Sequence, residues 1–192
     1  MRPAGRPSWE FRSDVGFPTH AALFVRDALR LDTSADDAAP PRLTAAVPDR
    51  SARLADAARS GALSAWLGVW HTLIDRPDAP FVALETLQRA PFALEVWDEA
   101  IRWANAARQP LGRTDPASPI PWATVDQTVA AVARDLGIEK NRLTGRAEFL
   151  MVRGAWWRVA RPGVVLASLE AAEDPAMAQS MLRAAFVSGL EA

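Results

Sequence analysis

Apolar positions recur every three to four residues in several stretches of the chain, and that period predicts amphipathic helices. A first helix is expected over Thr19–Leu31, with Leu23, Phe24, Asp27 and Ala28 at helical spacing. The stripe in "DRSARLADAARSGALSAWLGVWHTLID" is discontinuous. Leu54 and Leu63 lie nine residues apart, about half a turn out of phase at ~100° per residue. The helix therefore either breaks at Gly61 or buries opposite faces in succession. Pro91 to Arg108 is the clearest helix: Leu94, Val96, Trp97, Ala100, Ile101, Trp103 and Ala104 take one side, and Glu95, Asp98, Glu99, Arg102, Asn105 and Arg108 the other. Pro91 suits its first turn.

Further along, Thr124 and Gln127 form a capping-box pattern ahead of a stripe of Val125, Val129, Val132 and Leu136, which Gly137-Ile138 ends with a left-handed cap. The period then shortens. Phe149–Val152, Ala155–Arg161 and Val164–Leu169 read as strands joined by turns at Gly154 and at Pro162-Gly163. Asp174 caps a last helix with Pro175 in its first turn and Met177, Met181, Leu182 and Ala185 facing inward. The expected class is α+β: an N-terminal helical part, then an α-β-β-β-α unit with a three-stranded antiparallel meander.

Proline-rich and small polar stretches punctuate this order at residues 1–16, 32–48 and 110–121. They divide the chain into a flexible N-terminus (1–16), a helical part (17–109), a connector (110–121) and the α-β-β-β-α part (122–192), expected to pack with the helical part as one domain. No internal repeat is visible.

Composition narrows the functional classes. The 192 residues are 49% apolar, ample for a core. With 22 basic against 23 acidic residues, no global field draws the chain to nucleic acid or an anionic membrane. No cysteine is present, which removes disulfides, thiolate chemistry and cysteine zinc sites. No apolar run approaches the ~20 residues of a membrane span, and "MRPAGRPSWEFRSD" lacks the apolar stretch of a signal peptide. A soluble, cytoplasmic protein is expected. Lys140 is the only lysine and tyrosine is absent, a bias that suits a GC-rich coding sequence and weakens any argument from arginine content.

Catalytic motifs are missing: there is no GxSxG elbow, GxxxxGK[ST] loop, GxGxxG after a strand or HExxH. His71 has Asp75 one turn later but no third ligand to close a metal site, and reads as a boundary residue with a hydrogen bond. His20, near a helix start, reads as solvated. Glu95 and Glu99 share a solvent face with the Asp98–Arg102 pair, unlike a buried carboxylate dyad. No cofactor, metal or catalytic residue is assigned, and the chain reads as non-catalytic; an enzyme with dispersed active-site residues is the third alternative.

Two signals point to binding. In "VAAVARDLGIEKNRLTGR", Ala133, Gly137 and Leu143 meet the small-glycine-apolar spacing of a helix-turn-helix. On that reading Lys140, Arg142 and Arg146, with Arg161 on the following strands, would contact nucleic acid as a winged helix. From Glu139 to Arg161 six basic residues face two acidic ones, a local net of +4. Thr144-Gly145 is a poor helix interior. The second signal is "VRGAWWRVARPG". If both turns were tight, Leu150, Val152, Trp157, Val159, Val164 and Leu166 would share one sheet face, and Phe149, Met151, Trp156, Arg158, Val165, Ala167 and Leu169 the other. Both faces are apolar. A buried tryptophan is worth about 5 kcal/mol gross, so Trp157 is expected in the core and something must cover Trp156: this chain's helices, a second copy or a partner. Arg153, Trp156 and Arg158 are therefore the candidate protein interface. The function expected is protein–protein interaction, as an adaptor, chaperone or assembly component, with self-association as one form of it. The alternative is a winged-helix DNA-binding regulator.

Overall fold

The structure, a computed structural model, describes residues 9–76, 80–112 and 119–191. The chain divides into two compact units: Met1–Asp14, Ala117–Phe149 and Gly154–Ala192 form unit 1, and Val15–Pro116 with Leu150–Arg153 form unit 2. In chain order the elements are β1 (Glu10–Asp14), α1 (Phe17–Ala28), α2 (Asp56–Asp75), α3 (Pro80–Arg89), α4 (Leu94–Gly112), α5 (Trp122–Leu136), β2 (Thr144–Leu150), β3 (Trp157–Arg161), β4 (Val164–Ser168), α6 (Leu169–Glu173) and α7 (Pro175–Ser188). The mixed α and β class holds: after the short strand β1 come helices α1 to α5, then strands β2 to β4, then the C-terminal helices. Among the described residues no helix is long and apolar enough to cross a membrane. Residues 1–8 and 113–118 of the stretches read as irregular lie outside the described residues.

Unit 1 is built on a four-stranded sheet in the order β1-β2-β4-β3. Residues 10–14, read as irregular from the sequence, add a strand: β1 runs parallel to β2, from Glu10 opposite Thr144 to Asp14 opposite Glu148. The expected meander is realised at its second turn, the antiparallel β3–β4 hairpin closed by Pro162-Gly163, with Gly163 at φ 76°. At the first turn it is not: β4 lies between β2 and β3. Before that turn, residues Leu150–Arg153 belong to unit 2, where Val152 bridges Leu43 and the Thr44 N–H donates to the Met151 carbonyl at 2.9 Å.

The pairing inside the hairpin is also one residue away from the tight-turn expectation. Arg161 faces Val164, but Ala160 is then an extra residue, and Val159 pairs with Val165, Arg158 with Leu166 and Trp157 with Ala167. This bulge moves Trp157 onto the face of Val165 and Ala167. All five residues of β4 are buried, as a covered central strand requires, whereas every residue of the edge strand β3 is half-buried. Trp157 is therefore not a core residue, and Trp156 is half-buried as well.

Helices α5 and α7 pack on each other, and α7 also covers β3 and β4. Helix α5 starts at Trp122, two residues before the expected cap, with Pro121 at the N-cap position and no side-chain cap. Its end is the expected left-handed cap: Gly137 has φ 64° and the Ile138 N–H donates to the Ala133 carbonyl at 3.0 Å. Asp174 caps α7, its Oδ1 accepting from Ala176 and Met177 N–H, both at 2.9 Å.

Unit 2 is a helical cluster around α1, whose residues Thr19–Ala28 are all buried and which packs against α2, α3 and α4. The discontinuity ahead of Leu63 resolves without a break at Gly61. Leu54 lies outside α2, buried behind a 3-10 turn at Ser51–Arg53, so α2 needs only one stripe. Pro91 and Leu94 differ from expectation, because α4 begins at Leu94, leaving Pro91 in the preceding turn and Leu94 exposed. Trp66 and Trp70 stack with their rings nearly parallel (5.6 Å, 6°), and their indole N–H groups donate to the Ala22 and Ala38 carbonyls at 2.7 and 2.9 Å. His20 is fully buried, not solvated. Its Nδ1 lies 2.7 Å from the Gly16 carbonyl, its Nε2 accepts from the Met151 N–H at 3.1 Å, and its ring stacks on Trp103. One ring nitrogen faces an acceptor and the other a donor, which selects the neutral Nδ1–H tautomer.

Candidate functional site: an arginine-lined cavity in unit 2

Burying an arginine costs several kcal/mol unless its charge and donors are matched, and α1 buries Arg26 completely. Its Nε donates to Asp27 Oδ1 at 2.7 Å, its Nη1 to the Pro40 carbonyl and its Nη2 to the Pro41 carbonyl at 2.7 Å. Burial pulls the Arg26 guanidinium below its ordinary pKa, and Asp27 opposes that fall. The guanidinium also sits 5.8 Å from the centroid of the Trp66 ring. The prolines of the irregular 32–48 stretch thus supply acceptors while bringing no donor of their own.

Asp27 is saturated in turn. Oδ1 also accepts from Arg42 Nη1 at 2.9 Å, and Oδ2 from the Leu43 N–H at 2.7 Å. Arg42 then caps α1: Nη1 reaches the Arg26 carbonyl at 3.3 Å and Nη2 the Leu31 carbonyl at 2.6 Å. Helix C-termini favour cations at such carbonyls. Arg26, Asp27 and Arg42 are therefore structural, and they fix the walls of what lies beside them.

That neighbour is a cavity of about 170 Å³ lined by Asp27, Arg30, Arg42, Leu43, Ala45, Ala46, Val47 and Arg153. Two of its guanidiniums, Arg30 and Arg153, have terminal amino groups without a partner among the described residues. Arg153 is anchored by its N–H to the Arg42 carbonyl at 2.9 Å and by its Nε to the Leu43 carbonyl at 3.1 Å. Its two terminal amino groups have no partner among the described residues, an arrangement that leaves a fork for a carboxylate. Arg30 makes one exposed contact, Nε to Asp49 Oδ2 at 3.3 Å, where solvent screens the pair.

Arg30 is also the one described non-glycine residue with positive φ, at 55°. It is the residue after the C-cap of α1: the Leu31 N–H donates to the Arg26 carbonyl at 3.0 Å and the Arg30 N–H to the Asp27 carbonyl at 3.3 Å, the bonding of a Schellman motif. Glycine is the usual residue there, and an L side chain costs about 1 kcal/mol or more. The chain carries that strain and keeps a guanidinium on the cavity wall.

Size and charge limit what the cavity takes. Ligand pockets run to roughly 300–1,000 Å³, so 170 Å³ suits the end of one side chain or a group of similar size. Arg26 and Arg42 share the one carboxylate of Asp27 and Arg30 is partly balanced by Asp49, which leaves the walls with surplus positive charge and the charge of Arg153 unpaired among the described residues. One negative charge on two oxygens matches this.

The sequence-selected residues are distributed differently. Arg153 lies in unit 2, whereas Trp156 and Arg158 lie in unit 1, so the structure groups Arg153 with Arg30 and Arg42. Lys140 and Arg142 form a single exposed 3-10 turn, and Arg146 is on β2 with its Nη2 2.7 Å from Asp14 Oδ2. The second helix that a winged-helix reading needs is not formed. Gly145 explains the sequence there: a Cβ on it would stand 3.1 Å from the Phe186 ring, so the glycine serves strand–helix packing. Arg161 closes β3 beside the hairpin turn. His71 makes the hydrogen bond expected of a boundary residue, to Asp36 Oδ2 at 2.9 Å and not to Asp75. Among the described residues no group of three or more metal-ligating side chains is assembled.

Fold and site together define a mixed α and β protein with a small cationic cavity. Compared with protein-family models, curated proteins and solved structures, the chain matches none.

Proposed function

We propose that this is a non-catalytic protein–protein interaction protein that seats a carboxylate side chain of its partner in the Arg30/Arg42/Arg153 cavity. The observation that carries the reading is Arg30: a strained left-handed position holds a guanidinium where glycine would relieve the strain, and such strain concentrates at functional sites. The free fork of Arg153 and the small cavity support it. Buried, fully bonded neighbours preorganise both arginines, which lowers the cost of binding.

The test is isothermal titration of the full chain with a hexaglutamate peptide and with hexaglutamine. The glutamate peptide is expected to bind and the glutamine peptide not. Arg153→Ala should weaken binding at least roughly tenfold, as loss of a charge-assisted bidentate contact does. Arg153→Lys, which keeps the charge and loses the fork, should fall between. Equal binding of both peptides, or an Arg153→Ala variant that binds like the parent, would overturn the proposal.

A further inference from the structure

We propose that unit 1 holds a second, independent site, for an alkylated ammonium cation, formed by Trp9, Trp122 and Asp126. Trp122, the first residue of α5, is 54% exposed. Its ring meets Trp9 at 6.1 Å with the planes tilted 37°, so the two indoles form a splayed pair. Phe11, buried in β1, holds Trp122 edge-on at 6.4 Å and 86°, and itself packs on the buried Phe186 at 6.0 Å. The indole platform is thus tied to the core of the unit. The cavity beside it is about 470 Å³ and is lined by both tryptophans, Ala123 and Asp126. That volume falls inside the usual range for a ligand pocket.

The lining selects the charge. Asp126 follows Trp122 by one helical turn and shares its face of α5. It is exposed and has no cationic partner among the described residues. The amino end of α5 would by itself favour an anion with about half a charge, and the full negative charge of Asp126 outweighs it. A neutral apolar ligand makes no use of that carboxylate. Indole faces attract cations more strongly than the other aromatic rings do.

The lining also selects the kind of cation. A guanidinium brings five N–H donors and a primary ammonium three, while among the described residues Asp126 is the only side-chain acceptor on the cavity wall. An ammonium whose hydrogens are replaced by alkyl groups needs no such acceptors, and its diffuse charge suits the indole faces. Ala123 leaves room for its methyl groups.

Titration of the full chain with choline, with Nε-trimethyllysine amide and with 3,3-dimethyl-1-butanol, the uncharged carbon counterpart of choline, tests this. At least one of the two ammonium probes should bind roughly tenfold tighter than the neutral alcohol, the advantage a desolvated cation–π contact gives. Asp126→Asn should weaken it roughly threefold, the weight of an exposed charge pair, and Trp122→Ala should remove it with little change in unfolding temperature. The tighter of the two ammonium probes identifies the source, a modified lysine of a partner chain or a free small molecule. Binding of the alcohol as tight as that of the ammonium probes, or no binding of either ammonium, would overturn the site.

Discussion

Arg30 is the residue on which strain and function can be separated. Glycine at this position has no Cβ to strain at φ 55°, so Arg30→Gly is expected to raise stability by about 0.5–1 kcal/mol in urea unfolding. The same change should weaken hexaglutamate binding several-fold. A variant that is less stable would mean that the Asp49 contact, and not the cavity, accounts for the arginine. The sequence showed only part of this. Arg153 stood out because it precedes a glycine turn and a tryptophan pair. Arg30 and Arg42 did not, because one ends a helix and the other follows the Pro40-Pro41 pair in a stretch without periodicity. A hint was present in "ALRLD": an arginine occupies the place after a helix where glycine is the norm. His20 misled for a related reason. Its partner Met151 is 131 residues away, and no local pattern reports a bond of that span.

At the scale of elements, long periodic segments were legible and short ones were not. Helices α1, α4, α5 and α7 follow from their stripes, and the caps at Gly137 and Asp174 from their residue types. Strand β1 was missed although Glu10, Phe11 and Arg12 alternate, because five residues are too few to register a period and the partner β2 lies 134 residues on, in parallel. The order of β2, β3 and β4 has no local sign in the sequence, because nothing there marks Met151–Arg153 as leaving the sheet after β2, and the bulge at Ala160 shifts the hairpin faces by one residue. Close approach explains a glycine that sequence could not interpret. A Cβ at Gly189 would stand 2.6 Å from the Thr144 backbone carbonyl and 3.2 Å from Gly163 Cα. Gly189→Ala is therefore expected to destabilise the protein by about 1–3 kcal/mol, the cost of overpacking against a backbone that cannot yield. An unchanged unfolding midpoint would show that the strand ends can move apart.

For the whole molecule, the near-balance of 22 basic and 23 acidic residues means that attraction of acidic partners comes from a local site and not from a general field. Hexaglutamate affinity should accordingly fall only a few-fold between 50 and 300 mM salt, values chosen to shorten the screening length from about 14 to 6 Å. Duplex DNA, the partner of the winged-helix reading, would instead lose affinity by orders of magnitude over the same range. That steep loss, seen with DNA that binds tightly at low salt, would favour the nucleic-acid reading.

Binding of a carboxylate by Arg30 and Arg153 is tested most directly by NMR of the arginine side chains. On titration with hexaglutamate, the Nε–H resonances of Arg30 and Arg153 should shift together and saturate at one affinity, while that of the buried Arg26 stays in place and hexaglutamine moves none of them. Shifts confined to other arginines, or no saturable shift at Arg153, would contradict the account.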